Sequence, residues 1–439
     1  MTLPDGYRLS PLPESRHAEL LDLDSWSFPT SHSVDDLLKL ASPLSWDRTV
    51  AVVSEHPDAG AVPIDGAVPV TSTVVAIHSS YPFSQFHVPG AQIPVAGLTW
   101  VGVHPQHRRK GILSGMIDAH FQSCIDRGEA VSALFAAEAG IYGRFGYGQA
   151  ANDLRVKIPR GAALRPVAGS AELTLRLERY DAARHSELVA TLHAEAGRRP
   201  TPAAGLNRPG WATRETPELR ATFNDDPVMF RDGREALRIA IVESDGEPRG
   251  YVTFRRKVDW EVRGPRGTVS TGEVVALDAP AAHRLWSTLL DLDLSDEVEP
   301  FLLPVDDPIM ALLVDPRSAQ PRIADNVWVR IINITGALTA RQYATDVDVV
   351  VQVSDERLPA NAGTWHLRGQ AFGPATLTRT SATPDLSLSV AELSRAYLGG
   401  FSLASLAAAG LVTEHTDGAL AAASAAFSWP VAPVCSWVF

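Results

Sequence analysis

The chain has 439 residues, enough for about three domains, and its 45% hydrophobic and 21% charged content excludes a mainly disordered protein. A net charge of −12, from 39 basic and 51 acidic residues, argues against nucleic acid or an anionic membrane as partner, while a local basic patch can still hold an anionic cofactor. With no apolar run near the roughly 18 residues that cross a bilayer, and no basic-then-apolar leader in MTLPDGYRLSPLPESRHAEL, a soluble, cytoplasmic protein is expected.

In chain order, residues 1–155 mix helices and strands. Ser33 to Ala41 reads as a helix with Ser33 as its cap. Thr49–Ser54, Thr73–His78 and Val95–Val103 read as strands, the last two separated by a turn-rich stretch, Ser79–Pro94. Ile112, Leu113, Met116, Ile117, Phe121 and Ile125 then recur at helical spacing up to Gly128, and Ala130–Ala136 reads as a buried strand. Strand, Gly-containing loop, helix, strand is a βαβ-type unit.

Residues 156–325 contain a helix around Ala183–Ala196 and a Pro/Gly-rich stretch, Gly197–Pro217, expected as a surface loop. A hairpin (Leu237–Glu243 with Gly250–Arg256), a strand (Gly272–Leu277) and a helix (Pro280–Leu292) follow. VHPQHRRKGILSGMID from Val103 and LDAPAAHRLWSTLLDL from Leu277 align without a gap as strand end then helix, which sets Leu285 opposite Gly111 and loses the basic run. This echo reads as a second copy of one fold, without its loop chemistry. Residues 326–439 read as a small α+β domain: a helix-like Ile332–Tyr343, strands Asp346–Val353, Gly363–Arg368 and Thr376–Thr380, a helix Val390–Leu398 closed by two glycines, and Ala-rich helices Ala404–Ala409 and Gly418–Ala426. Cys124 and Cys435 make neither a disulfide framework nor a Cys-rich metal site, and no metal is expected.

The chemistry concentrates between Gly97 and Gly148. A strand ending at Val103 delivers Arg108, Arg109, Lys110 and Gly111 to a helix start, where the first backbone N–H groups lack intrahelical partners and the dipole is positive. Gly111 lets the backbone close on a ligand, so amides from Arg109 to Ser114 suit a phosphate. A solvated basic helix start is the competing reading. The loop fits neither the P-loop nor the GxGxxG fingerprint.

The run V-x-V-x-P-x-x-R-R-x-G-I-L, from Val101, resembles the acyl-CoA-binding motif of the GNAT acetyltransferases. With the second run A-x-x-G-I-Y-G-R-F-G-Y-G, from Ala137, it resembles the Eis (enhanced intracellular survival) family of N-acetyltransferases over the whole chain. The resemblance implies a mixed α+β fold: tandem GNAT-like domains, catalytic over 1–155 and degenerate over 156–325, then a sterol-carrier-like α+β domain over 326–439. It implies acetyl-CoA as cosubstrate, an amine acceptor, no nucleic acid or membrane partner, and a homo-oligomer, a hexamer. Val101, Gly102 and Val103 would bond the pantetheine arm. Arg108, Arg109, Lys110, Gly111, Ile112, Leu113 and Ser114 would hold the pyrophosphate, and Ala137 and Glu138 would line the channel. Ala137 stands where the family usually has serine. Glu138 reads equally as a surface carboxylate.

Acetyl transfer from a thioester to an amine needs the amine deprotonated, the oxyanion stabilised and the departing thiolate protonated. Tyrosine, with a pKa of about 10, suits the last task. The residues alone leave Tyr142 and Tyr147 level, Tyr147 reading as core, and the resemblance favours Tyr142. It also makes the C-terminal carboxylate of Phe439 the base, against the alternative of an apolar end, SWPVAPVCSWVF, packed for stability. The family's acidic residue before the final Phe is Val438 here, which removes a negative charge from the acceptor pocket. Trp26, Phe28, Trp100 and Asp307 match or neighbour acceptor-site positions, although Trp100 also reads as core and Asp307 as a helix cap. The acceptors implied are aminoglycosides, acetylated at several amines. Protein lysine, polyamines, arylalkylamines and a non-catalytic binding protein for acyl-CoA or an apolar ligand are the alternatives.

Overall fold

The computed structural model describes residues 3–55, 73–199, 205–262 and 264–439. The first sheet contains β1 (Tyr7–Pro11), β2 (Val50–Ser54), β3 (Thr73–Val88), β4 (Ala91–Val103), β5 (Val131–Phe135), β6 (Gly148–Gln149) and, from much later in the chain, β16 (Val327–Ile331). Their order is β1-β2-β3-β4-β5-β16-β6. β4 and β5 run parallel, and the other pairs are antiparallel. β16 therefore belongs to the first sheet, although it lies within the segment 326–439.

Helices α1 (His17–Ser27), α2 (Val34–Leu37), α3 (Ile112–Arg127) and α4 (Ala139–Tyr142) accompany this sheet. α3 forms because Ile112, Met116, Ile117, His120, Phe121 and Cys124 fall on one buried stripe. It ends at Gly128, whose N–H caps the Cys124 and Ile125 carbonyls. Two expectations change here. The helix over Ser33–Ala41 shortens to Val34–Leu37, with Ser33 capping Asp36 N–H. Ser79–Pro94 is not a separator but the body of the long β3–β4 hairpin, turning at Pro89 and Gly90. Its prolines are accommodated: β2 stops pairing at His78, before Pro82, and Pro94 sits in an irregularity between the pairs Phe83↔Val95 and Phe86↔Ile93.

The second sheet runs β8 (Ile158–Pro159), β13 (Glu297–Glu299), β12 (Gly264–Ala276), β11 (Glu247–Glu261), β10 (Arg238–Ser244), β9 (Thr174–Arg179). It packs with α5 (Ala182–Arg198) and α7 (Ala279–Leu290), while α6 (Pro217–Asn224) contacts α5. A short sheet joins the first two units, with β7 (Asn152–Arg155) between β14 (Leu303–Pro304) and β15 (Arg322–Asp325). The last sheet runs β19 (Ala375–Arg379), β18 (Gly363–Gly369), β17 (Val347–Ser354), β20 (Leu386–Ser389), β21 (Val412–Glu414). Helices at Ile334–Ala340, Val390–Ala396, Leu403–Ala408 and Ala419–Phe427 complete it.

Within the expected surface loop Gly197–Pro217, residues 200–204 lie outside the described residues, and 208–214 are buried. Apolar Trp211 and Ala212 and the His87 backbone, which exchanges hydrogen bonds with Gly210 and Trp211, hold the segment inside. It guides the chain end: Val434 N–H donates to the Pro209 carbonyl at 3.0 Å, and Cys435 N–H to Asn326 Oδ1 at 2.7 Å. Trp437 then stacks on Tyr81 at 4.8 Å. No helix of the described residues is long and apolar enough to cross a membrane.

Candidate active site

The site begins with a defect in β4. Gly102 faces Ile77 and Thr99 faces Ser79, so Trp100 and Val101 together oppose His78. This is a bulge, with Trp100 at φ 53° in the left-handed region. On its other side β4 pairs with β5 only from Val95↔Val131 to Gly97↔Ala133. Beyond that point Leu98–Val103 has no strand partner on that edge among the described residues, and the parallel pair is left open.

The loop after β4 turns sharply into α3. Arg109 (φ 62°) and Gly111 (φ 87°) are both left-handed. Gly111 is the cap residue of α3 and supplies no side chain to it, so the first-turn amides of Ile112, Leu113 and Ser114 meet no capping group. Arg108, Arg109 and Lys110 are exposed around them. Arg108 Nε bonds the Val103 carbonyl at 3.2 Å, and Lys110 Nζ donates to the Tyr7 hydroxyl at 3.2 Å. The open edge Val101–Val103, the uncapped helix start and the basic side chains thus lie in series, a donor set suited to a long anionic thioester.

The second repeat is closed at the same place. α7 is capped by Asp278, which accepts from Ala281 N–H at 2.9 Å and is paired with Arg249 Nη2 at 2.6 Å. The helix caps Gly111 and Asp278 are therefore the true counterparts. Leu285, set opposite Gly111 by gapless alignment, is instead a fully buried core residue inside α7. A strand-to-helix connection shorter than that of the first repeat displaces the alignment.

Next to the open strands lies a cavity of about 710 Å³, walled by all three parts of the chain. Tyr142, Phe28, Trp100 and Ala137 line it from the first, and Phe439 from the last. Tyr142 is 9% exposed, and burial, then the Glu138 carboxylate, pushes its phenol up to about 12. Its ring meets Tyr147 edge-on at 5.9 Å. Tyr147 is core: it is 1% exposed and shares a hydrogen bond with Ser132 Oγ at 2.8 Å. The Phe439 ring packs on Phe83 at 5.0 Å and Phe135 at 5.4 Å.

The turn after Tyr142 is anchored from below. Buried Arg330 on β16 donates from Nε to the Phe145 carbonyl at 2.9 Å and from Nη2 to both Asp355 oxygens at 2.7 and 2.8 Å. Gly148 is required by close approach, because a Cβ there would stand 2.2 Å from the Ala391 carbonyl oxygen.

Other expected residues lie apart from the cavity wall. Glu138 is exposed and precedes α4 without capping it. Trp26 is 55% exposed and packs edge-on against His104 at 5.0 Å. Asp307 is buried and accepts from Ile309 N–H at 2.9 Å, the helix-start role that was its alternative. Its carboxyl is pushed up to about 6, chiefly by burial.

Sequence reasoning missed two acidic wall residues. Asp24 on α1 is pushed up to about 7 by burial. Asp153 is 1% exposed and raised by burial, with Oδ1 near Arg155 Nε at 3.3 Å and Oδ2 unpartnered. The run LLDLD, with buried Leu20, Leu21 and Leu23, was the available signal for Asp24. Among the described residues no group of acidic, His and Cys side chains is placed to hold a metal.

Two catalytic-type folds, one open and one closed, joined to a third α+β unit, define a GNAT acetyltransferase. Family models agree: acetyltransferase (GNAT) domains match residues 11–150 and 210–331, and a sterol carrier protein domain matches 334–436. An uncharacterized N-acetyltransferase of Streptomyces avermitilis is 40% identical over 78% of this chain and 81% of its own length. The N-acetyltransferase Eis of Mycobacterium tuberculosis is 34% identical over 84% and 88%. Eis1 of Mycobacterium abscessus superposes with a TM-score of 0.77 at 29% identity, over 99% of this chain and all of its own. The chain belongs to the Eis family of N-acetyltransferases, enzymes of the acetyl-CoA-using GNAT class.

Proposed function

We propose that this chain moves the acetyl group of acetyl-CoA to a primary amine held in the 710 Å³ cavity, with Tyr142 as general acid and the Phe439 carboxylate as general base. The observation that carries the proposal is that Tyr142 and Phe439 line one cavity beside the open end of β4 and β5. Val101, Gly102 and Val103 would offer strand backbone to the pantetheine arm. Arg108, Arg109, Lys110 and the amides from Gly111 to Ser114 would hold the pyrophosphate, with Ala137 and Glu138 at the channel's edge. Asp278 in the second repeat answers its own helix, so one acetyl-CoA per chain is expected.

In this reading the amine arrives as an ammonium, drawn by Asp24 and Asp153 and flanked by Phe28 and Trp100. The carboxylate of Phe439 accepts its proton. The nitrogen attacks the thioester carbonyl, the C–S bond breaks, and Tyr142 gives its proton to the departing sulfur. The second proton leaving the nitrogen restores the phenol, so the reaction releases one proton net, the one taken by the carboxylate. Burial raises both the phenol and a thiolate beside it, so their proton affinities rise together and transfer stays feasible. The acidic wall supports a cationic acceptor, the aminoglycosides included, and the family points to homo-oligomers, hexamers. A thiol-release assay across aminoglycosides, polyamines, arylalkylamines and lysine peptides tests the proposal. Absence of turnover with every amine would refute it.

A further inference from the structure

Beside the acceptor cavity lies a second one of about 450 Å³, and the two share Arg155, Phe301 and Leu302 in their walls. Its charge is the reverse of the molecule's. Arg155, Lys157, Arg234, Arg255 and Arg322 line it, against Glu299 alone, in a chain of net charge −12. Four of the cations have carboxylate neighbours. Arg155 meets Asp153 at 3.3 Å, Arg234 meets Asp232 at 3.7 Å, Arg255 meets Asp226 at 2.6 Å, and Lys157 bonds Glu299.

Arg322 makes no ion pair among the described residues, and the β15–β7 register sets it directly opposite Arg155. Like charges facing across an antiparallel pair destabilise it unless something between them is negative. The Thr271 hydroxyl, buried in the same wall, has no hydrogen-bond partner. Guanidinium groups on adjacent strands with a spare hydroxyl are the donors that carboxylate and phosphate oxygens take.

We infer that this second cavity receives an oxyanion carried by the acceptor itself: the substrate is an amine whose far end is a carboxylate or phosphate. The inference rests on the acetyl-transfer reading and narrows its acceptor from any cation to a zwitterion. The amine end lies among Tyr142, Phe439 and Asp24, and the anionic end reaches past Arg155 to Arg322.

The test uses linear primary amines of equal length ending in methyl, ammonium, carboxylate or phosphate, assayed by thiol release at saturating acetyl-CoA. The anion-ended amines should exceed the methyl-ended one in kcat/KM by about tenfold or more, through KM. Arg322→Glu should erase that advantage and Arg322→Lys should keep part of it. Arg322→Glu places opposite charges across the strand pair, so its melting temperature should hold or rise. Equal turnover of methyl- and anion-ended amines, or an advantage that survives Arg322→Glu, overturns the inference while leaving acetyl transfer intact. If no amine turns over, calorimetry on the CoA-saturated chain decides. Binding of the phosphate-ended amine that is lost in Arg322→Glu upholds the site, and no binding overturns it. Inorganic phosphate binding as tightly as the phosphate-ended amine would assign the cavity to a free anion and overturn it as an acceptor subsite.

Discussion

Replacing Tyr142 by Phe removes one hydroxyl and little else. The ring is 9% exposed and packs within a core cluster that includes Phe121, Phe145 and Tyr147, contacts that phenylalanine retains. The fold should therefore hold, and so should acetyl-CoA binding, which is proposed at the strand edge and the loop before α3. Loss of a general acid typically costs about 10²–10⁴-fold, equivalent to roughly 3–5 kcal/mol of transition-state stabilisation. Because burial holds the phenol up at about 12, Tyr142 stays protonated across the usual assay range. The deficit should accordingly be the same at pH 7 and pH 9. Thiol release gives kcat and KM, calorimetry gives acetyl-CoA affinity, and a thermal melt checks the fold. Tyr147→Phe is the control: it breaks the Ser132 hydrogen bond, costs on the order of 1 kcal/mol of stability and leaves the chemistry in place. Full turnover in Tyr142→Phe, with Tyr147→Phe the damaged enzyme, would reverse the assignment.

Asp24 has a folded pKa raised to about 7 by burial, so its ionised form opposes folding and its protonated form does not. Stability should decline as pH rises from about 4 to about 7, and Asp24→Asn should remove that decline in pH-resolved melts. If Asp24 also draws the ammonium, KM for a cationic acceptor should fall as pH rises through 7 in the wild type but not in the variant. Asp355→Ala leaves buried Arg330 unpaired and should cost about 3–5 kcal/mol in denaturant unfolding, with turnover lost through the loosened Phe145 turn. A few residues added after Phe439 should abolish turnover while melting temperature and acetyl-CoA affinity stay near wild type. Retention of both turnover and stability would remove that carboxylate from the mechanism.

How much of this was legible in the sequence follows from how local each signal is. The α3 helix and its stop at Gly128 are local and were read correctly, although Ile125, read into the buried stripe, is 46% exposed and His120 and Cys124 take part in it instead. The long hairpin was not read, because Pro82 and Pro94 signal turns until pairing partners show that each sits where an N–H is not needed. The burial of 208–214 was equally hidden, since it depends on Val434 and His87 arriving from distant parts of the chain. Within the site, the uncapped, basic helix start was legible from residue types, whereas Tyr142 was favoured over Tyr147 only by family resemblance. The acidic wall was not read because only tertiary packing brings Asp24 and Asp153 to one cavity, the run LLDLD marking Asp24 alone. The bulge at Trp100 leaves no trace in T-W-V, since it depends on what His78 can pair with across the sheet.

The insertion of β16 between β5 and β6 has a consequence for how the enzyme is made. During synthesis the ribosome releases the basic loop before α3, Tyr142 and β6 long before residues 327–331 exist. Until then β5 presents a bare edge flanked by apolar side chains, the kind of surface on which nascent chains pair wrongly. The Arg330 anchor for the Phe145 turn arrives on the same late strand, so the turn that follows Tyr142 is held in place only when the sheet is finished. A fragment cut after residue 155 would carry the motif residues and lack the strand that seals them. The turn that follows Tyr142 is thus fixed only once the chain has been made as far as residue 331.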